Sequence, residues 1–196
     1  IATWNILNGK SDAGIRNPEL LLARVLDTNS NPKLRGYALR LLPVQPLNAP
    51  QDGTSPVLEF PPGLTLEILQ ELLSLNDDTL SLEVVRTLSG NPPAAGAILA
   101  EIAADSQRNI SLRAEAIAGL ATVTEQHMDL LLKLGQDSQR VVREEALRCL
   151  RTGKCSAAQL HMLESLSAQY PESADLIQAV IEPASISAGR PAVTDT

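Results

Sequence analysis

Three stretches of this sequence can be aligned residue for residue, and this repetition limits the fold more than any other feature. Each copy holds an aspartate, then an arginine, then an Ala-Leu or Ala-Ile pair, and the last two copies are about thirty residues apart. Repetition of this length is typical of stacked helical pairs, so the sequence predicts an α-solenoid. The aligned positions are Asp27, Leu34, Arg35, Ala38, Leu39, Leu42; Asp105, Leu112, Arg113, Ala116, Ile117, Leu120; and Asp137, Val142, Arg143, Ala146, Leu147, Leu150.

The composition also favours helices packed in thin layers. Hydrophobic residues make up 44% of the chain but aromatic residues only 2%, whereas a large globular core usually contains more aromatic side chains. The apolar fraction is mostly Leu, Ala, Ile and Val, which suits small helices in a stack. We therefore expect an all-α fold.

Apolar residues at helical spacing predict five helical hairpins. Each predicted helix is too short to be stable alone, so packing between hairpins must supply the burial. Ala2 to Asn8 is expected to be the remainder of an earlier helix. The predicted hairpins are 18–26 with 32–42, 65–75 with 78–89, 93–104 with 108–122, 125–134 with 138–152, and 156–168 with 171–181.

A proline-rich insertion, Pro43 to Gly63, interrupts this series after the first hairpin. It contains six prolines, a density that forbids a helix and favours extended or turning backbone. One interpretation is a loop that bridges two parts of the array. The other is a binding element, because proline-rich segments present preformed extended surfaces to partners.

The repeated residues resemble HEAT repeats, the helix-turn-helix units of α-solenoids. In that family the Asp and Arg of successive repeats form a ladder of ion pairs, and the small Ala lets helices approach closely. The resemblance implies a structural ladder built from Asp27, Asp105 and Asp137 with Arg35, Arg113 and Arg143. Ser81 stands where the second hairpin should have its Arg, and the last hairpin has no equivalent Arg. We therefore expect the ladder to be broken after the insertion and at the end.

The predicted domain organisation is a HEAT-like solenoid over residues 1–182 and a spacer over 183–196 that leads to a missing downstream domain. Such an array with such a spacer is similar to segments of large multidomain proteins of planctomycete-type bacteria. Those proteins commonly also carry a dehydrogenase-like propeller and a cytochrome c module. The resemblance implies an export-linked parent protein in the periplasm or cell envelope.

The sequence predicts no cofactor and no catalytic activity. Covalent haem attachment needs Cys-x-x-Cys-His, but the two cysteines, Cys149 and Cys155, are six residues apart with no following His. Two cysteines without clustered His cannot form a four-ligand zinc site. We expect free thiols, with a disulfide as the alternative for an exported parent. The motifs of phosphate loops, serine hydrolases and zinc proteases are absent from the sequence.

The net charge of −7 argues against general nucleic-acid binding, which needs clustered Lys and Arg. No apolar run is long enough to span a bilayer, so we expect no membrane insertion. We therefore predict a protein-binding or scaffold module whose partner is another protein or a neighbouring domain; the alternative is a structural spacer within an exported redox protein. The candidate partner-binding residues are Arg108, Arg140, Glu144 and Arg148 on the second helices. A solvated helix face is the alternative for this basic stretch.

Overall fold

The computed structural model describes residues 17–42, 45–46 and 58–188. This part of the chain is all-α, as predicted, apart from one short strand pair. Its helices are α1 (Pro18–Leu26), α2 (Pro32–Leu41), α3 (Leu66–Ser74), α4 (Asp78–Ser89), α5 (Pro92–Ala104), α6 (Ile110–Gly119), α7 (Met128–Leu134), α8 (Arg140–Leu150), α9 (Ala157–Gln169) and α10 (Ala174–Ala188). Short 3₁₀ turns, Thr124–His127 and Pro171–Ser173, precede α7 and α10.

Polar residues before the helices fix where most of them begin. Asn17, Asn31 and Asn109 each accept backbone N–H groups of the first turn. Proline follows at the first position of α1 and α2, where its missing N–H costs nothing. Ser156 forms a reciprocal capping box with Gln159 at the start of α9. These local signals explain why the helix positions could be predicted well from the sequence.

The largest differences from the predicted bounds occur near the C-terminus. The predicted last helix ended at Ile181, but α10 continues to Ala188. Pro183 removes one backbone donor without ending the helix, so composition alone placed the helix end too early. Residues 189–196 of the predicted spacer, and the helical remainder predicted at Ala2–Asn8, lie outside the described residues.

The chain divides into two compact units, residues 1–99 and residues 100–196, which we call the N-terminal and C-terminal units. In the N-terminal unit α1 packs on α2, α3 packs on α4, and the two second helices α2 and α4 pack on each other. Gly36 lies at this last contact, because a Cβ built there would be 3.4 Å from the Leu80 Cα. The core of the unit is aliphatic and includes Leu69, Leu72, Leu80, Val84 and Leu88.

The C-terminal unit repeats this arrangement. Here α7 packs on α8 and α9 packs on α10, while the second helices α6 and α10 both pack on α8. Its fully buried side chains include Ile117, Leu131, Leu147, Leu150 and Leu163. Each unit is thus built from helical hairpins whose second helices lie against one another.

The described part of the insertion is not helical, as the proline density predicts. Strand β1 (Gln45–Pro46) pairs antiparallel with β2 (Leu58–Glu59), so that the two ends of the insertion meet. The Leu58 amide donates to the Gly90 carbonyl over 2.7 Å at the end of α4. Gly63 has a φ of +85°, a conformation that favours glycine. The returning segment 58–64 is therefore fixed against the N-terminal unit.

Candidate functional site

Arg113 of α6 links two hairpins of the C-terminal unit. Its Nη2 donates to Oδ2 of Asp137 over 2.7 Å, and its Nε donates to the Ala103 carbonyl over 3.0 Å. The guanidinium is buried, so these bonds replace the water it gives up. The structure therefore places two of the proposed ladder residues, Arg113 and Asp137, in direct contact.

Arg143 of α8 repeats this role in the next hairpin with more partners. Its Nε donates to the Ser173 hydroxyl over 3.2 Å, its Nη1 donates to the Asp137 carbonyl over 2.9 Å, and its Nη2 pairs with Glu172. The guanidinium carbon also lies 4.0 Å from the ring centroid of Tyr170, a cation–π distance. This buried cation thus connects α8 to the turn that precedes α10.

The Arg143–Glu172 pair corrects the expectation that the ladder is broken at the last hairpin. The arginine of one hairpin pairs with the acid in the turn of the next, so the last hairpin needs only the acid. Glu172 stands in the 3₁₀ turn after Pro171, whereas the other copies have an aspartate. The repeat pattern of an Asp with a local Arg does not include Glu172, although an acid between the last two helices was the available signal.

The first ladder pair, Asp27 and Arg35, is arranged differently. Arg35 is buried and its Nε donates to the Val25 carbonyl over 2.8 Å, as Arg113 does to Ala103. Asp27 accepts from the Ser30 hydroxyl over 2.6 Å and pairs with Arg24 at 3.2 Å. The Ser30 hydroxyl and then the Asn29 amide hold the pKa of Asp27 below its ordinary value.

The three ladder aspartates share one further contact. Each accepts, through Oδ1, the backbone N–H of the residue two positions later: 3.0 Å for Asp27 and Asn29, 3.0 Å for Asp105 and Gln107, and 2.8 Å for Asp137 and Gln139. This local turn is the arrangement that Asp side chains favour. Its repetition explains why the turn aspartate recurs along the sequence.

Three of the four candidate partner-binding residues lie together on α8. Arg140 Nε donates to Glu144 Oε1 over 2.6 Å, and Arg148 reaches Glu144 Oε2 at 3.4 Å. Arg148 also pairs with Glu145 at 2.6 Å. Both arginines are exposed, while Glu144 is half-buried between them. We call Arg140, Glu144 and Arg148 the α8 row, and its two guanidinium groups are accessible to solvent.

Arg108, the fourth candidate, does not lie on α8. It lies in the turn before α6, where its Nε is 3.5 Å from Asp105 Oδ2 and its side chain is half-buried. It aligns with Arg140 in the repeat, but Arg140 is the first residue of a helix and Arg108 precedes the Asn109 cap. The difference arises because the turn of the third copy is two residues shorter than the turns of the other two copies.

A cluster that the sequence analysis missed lies in the N-terminal unit. Glu83 on α4 is buried and accepts from Arg40 of α2, over 2.9 Å from Nε to Oε2 and through a second bond from Nη2 to Oε1. Arg86 donates to the same Oε1 over 3.0 Å. The sequence signal was weak, because these residues lie outside the aligned repeat positions and Arg40 and Glu83 are 43 residues apart.

Charge and burial oppose each other at Glu83. Burial alone would raise the pKa of its carboxyl, but the hydrogen bonds and positive charges of Arg40 and Arg86 outweigh it and hold the pKa below its ordinary value. The carboxylate also raises the pKa of Arg40. Glu83 and Arg40 therefore remain charged at neutral pH.

Beside this cluster lies a cavity of about 390 Å³ within the N-terminal unit. Its walls come from the end of α2, from α4 and from the returning segment of the insertion. Most of the lining is apolar, and Arg40, Glu83 and Arg86 are its charged members. The lining residues are Leu39, Arg40, Leu42, Leu58, Pro61, Leu64, Glu83, Arg86, Thr87 and Gly90.

The cysteines form no disulfide in the structure. Cys149 is buried on α8 and its thiol donates to the Ile117 carbonyl over 3.2 Å. Burial raises the pKa of Cys149 to about 12 and also raises the pKa of Cys155. Over the described ranges, no group of three or more His, Cys, Asp and Glu side chains could hold a metal ion.

Within residues 17–42 and 58–188, no helix combines the length and apolar character needed to cross a membrane. Comparison with family models, with curated proteins and with solved structures finds no match to this chain. Membership of the HEAT-repeat family therefore stays a prediction from the repeated residues.

Proposed function

We propose that this chain is a non-catalytic scaffold module, a solenoid of HEAT-like hairpins that binds a protein partner. The observation that carries the proposal is that its arginines fall into a buried group and an exposed group. Arg35, Arg113 and Arg143 are buried and bonded to the backbone or to neighbouring hairpins, whereas Arg140 and Arg148 are exposed on a second helix. The first group serves stability, and the second is available to a partner.

Second helices line the concave face of such stacks, where these modules bind their partners. The α8 row offers two guanidiniums held in place by Glu144 and Glu145, so little side-chain freedom is lost on binding. Val141, an exposed apolar residue, adjoins the row. A protein surface with carboxylates beside an apolar side chain would complement these groups.

A comparative capture experiment tests this function. The full chain, the double variant R140E/R148E and the control R24E serve as baits in lysate of the source cells, and quantitative mass spectrometry compares the bound proteins. Arg24 is a suitable control because it is also partly exposed and ion-paired, but lies on α1. Circular dichroism verifies that all three baits are helical.

We expect at least one protein to be depleted about tenfold from the double variant and retained by R24E, as loss of two charged contacts implies. Direct binding of that protein, purified, to the full chain then establishes the partner. Identical capture by all three baits would contradict binding through the α8 row and favour a spacer role.

A further inference from the structure

The cavity of the N-terminal unit is lined by α2, α4 and the returning segment of the insertion. Leu39, Leu42 and Leu64 are buried and form an apolar floor. Leu58 also lines the cavity and is fixed by its backbone bond to Gly90. The volume of about 390 Å³ falls in the lower part of the range for small-molecule sites.

Arg40 brings directed hydrogen-bonding capacity to this apolar space. A guanidinium has five N–H donors, four of which form two edges that can each bind a carboxylate bidentately. Arg40 uses the Nε and Nη2 edge for Glu83, and its side chain remains more than half exposed. The edge formed by Nη1 and the second Nη2 hydrogen is therefore not used by Glu83.

Glu83 fixes the position of that edge. Its carboxylate is held by two arginines and is buried, so Arg40 cannot turn away without losing a bidentate bond. A preorganised guanidinium beside an apolar floor recognises an anion that carries an apolar body. A cation would be repelled by Arg40 and Arg86, which both line the cavity.

We propose that this cavity is a binding site for a small monocarboxylic acid with an apolar chain. The chain lies on Leu39, Leu42 and Leu64, and the carboxylate binds the outer edge of Arg40. This site is separate from the α8 row, so either proposal can fail without the other.

Titration calorimetry with the full chain tests the proposal, with hexanoate as the probe and 1-hexanol as its uncharged counterpart. We expect saturable binding of one hexanoate per chain and binding of hexanol at least about tenfold weaker, since the alcohol lacks the charge-assisted bonds. Equal binding of both compounds, or no saturable binding of hexanoate, would overturn the proposal.

Two variants locate the site, and circular dichroism verifies their folding. Arg40→Lys keeps a cation for Glu83 but lacks the second edge, so hexanoate affinity should fall about tenfold. Leu58→Phe enlarges the wall and should reduce binding to a similar degree while leaving Arg40 in place. Arg24→Lys, outside the cavity, should bind like the wild type. Unchanged hexanoate affinity in both cavity variants would place the site elsewhere and contradict the proposal.

Discussion

The two units connect their hairpins with ion pairs of opposite design. In the C-terminal unit the arginines are buried and the acids are accessible: side-chain exposure is 5% for Arg113 against 17% for Asp137, and 2% for Arg143 against 40% for Glu172. In the N-terminal unit the acid is buried, since Glu83 is 4% exposed and Arg40 55%. The buried residue of each pair depends on its partners for bonds that water no longer supplies, whereas water can solvate the accessible residue when a bond is lost.

The difference follows from one residue of the repeat. Ser81 occupies the arginine position of α4 and is itself buried, so the contact between α2 and α4 contains no second ladder guanidinium there. Gly36 of α2 faces Leu80 and Glu83 of α4 at this level. The link between the hairpins is instead made further along α2, where Arg40 reaches Glu83.

The largest expected effect is in the C-terminal unit. Arg143→Ala removes bonds to Asp137, Ser173 and Glu172 and leaves a cavity beside Tyr170, so it should lower the free energy of unfolding by about 3 kcal/mol. Urea denaturation followed by circular dichroism measures this loss. Arg148→Ala on the same helix should change stability by less than about 0.5 kcal/mol. Equal costs for the two would show that burial of the ladder arginine has no energetic role.

The buried acid of the N-terminal unit should give a smaller, pH-dependent effect. Glu83→Gln places an amide against two guanidiniums, and we expect a loss of about 2 kcal/mol at pH 7. Because the folded pKa lies below the ordinary 4.5, the charge of Glu83 stabilises the fold fully above that pH and progressively less as the pH falls through the folded pKa.

Urea titrations of wild type and Glu83→Gln at several pH values test this dependence. The stability difference between the two proteins should shrink as the pH falls below the ordinary carboxyl pKa of 4.5. Glu71→Gln, at an exposed position of α3, serves as the control and should differ little from wild type at any pH. A difference that stays constant from neutral to acid pH would argue against an ionised Glu83 in the fold.

Within the C-terminal unit, the stability lost when the acid of a ladder pair is neutralised should decrease as the exposure of that acid increases. Asp137→Asn keeps the Gln139 contact but loses the charge that faces Arg113, and we expect a loss of about 1 kcal/mol. Glu172→Gln should cost less, since water reaches that carboxylate. Thermal unfolding of the two variants measures the order, and the reverse order would mean that exposure does not determine the strength of these pairs.

The smallest expected effect has the opposite sign. Gly36→Ala adds a methyl group at ordinary contact distance from Leu80 and Glu83, so the helix propensity of Ala should stabilise the N-terminal unit by up to about 1 kcal/mol. Urea denaturation gives the change. Destabilisation instead would show that the packing of α2 on α4 tolerates no added atom.

Local signals in the sequence were sufficient for the helices. The bounds of α1 and α4 agree with the prediction, because Asn17 and Asp77 cap them and their apolar stripes are regular. The prediction was less accurate at α7 and α10, where a 3₁₀ turn precedes each helix and no side-chain cap bond was found at the start of α7. The backbone hydrogen bonds determine where α7 and α10 begin, and these bonds cannot be read from the sequence.

The candidate site could be predicted only in part. The row of Arg140, Glu144 and Arg148 follows from their spacing of four residues on one helix. The Arg40–Glu83 pair does not, because it joins residues on two helices whose relative placement depends on packing. Repetition identified the ladder residues but could not show that Glu172 substitutes for an aspartate.

The sequence by itself determined the all-α class, most helix positions and the recurring Asp turns, because capping and apolar periodicity act between residues close in the chain. Only the tertiary structure decided which charged groups are buried and which pairs form between hairpins, since desolvation depends on neighbours far apart in sequence. It likewise decided the cavity, whose walls are brought together by α2, α4 and the anchored end of the proline-rich insertion.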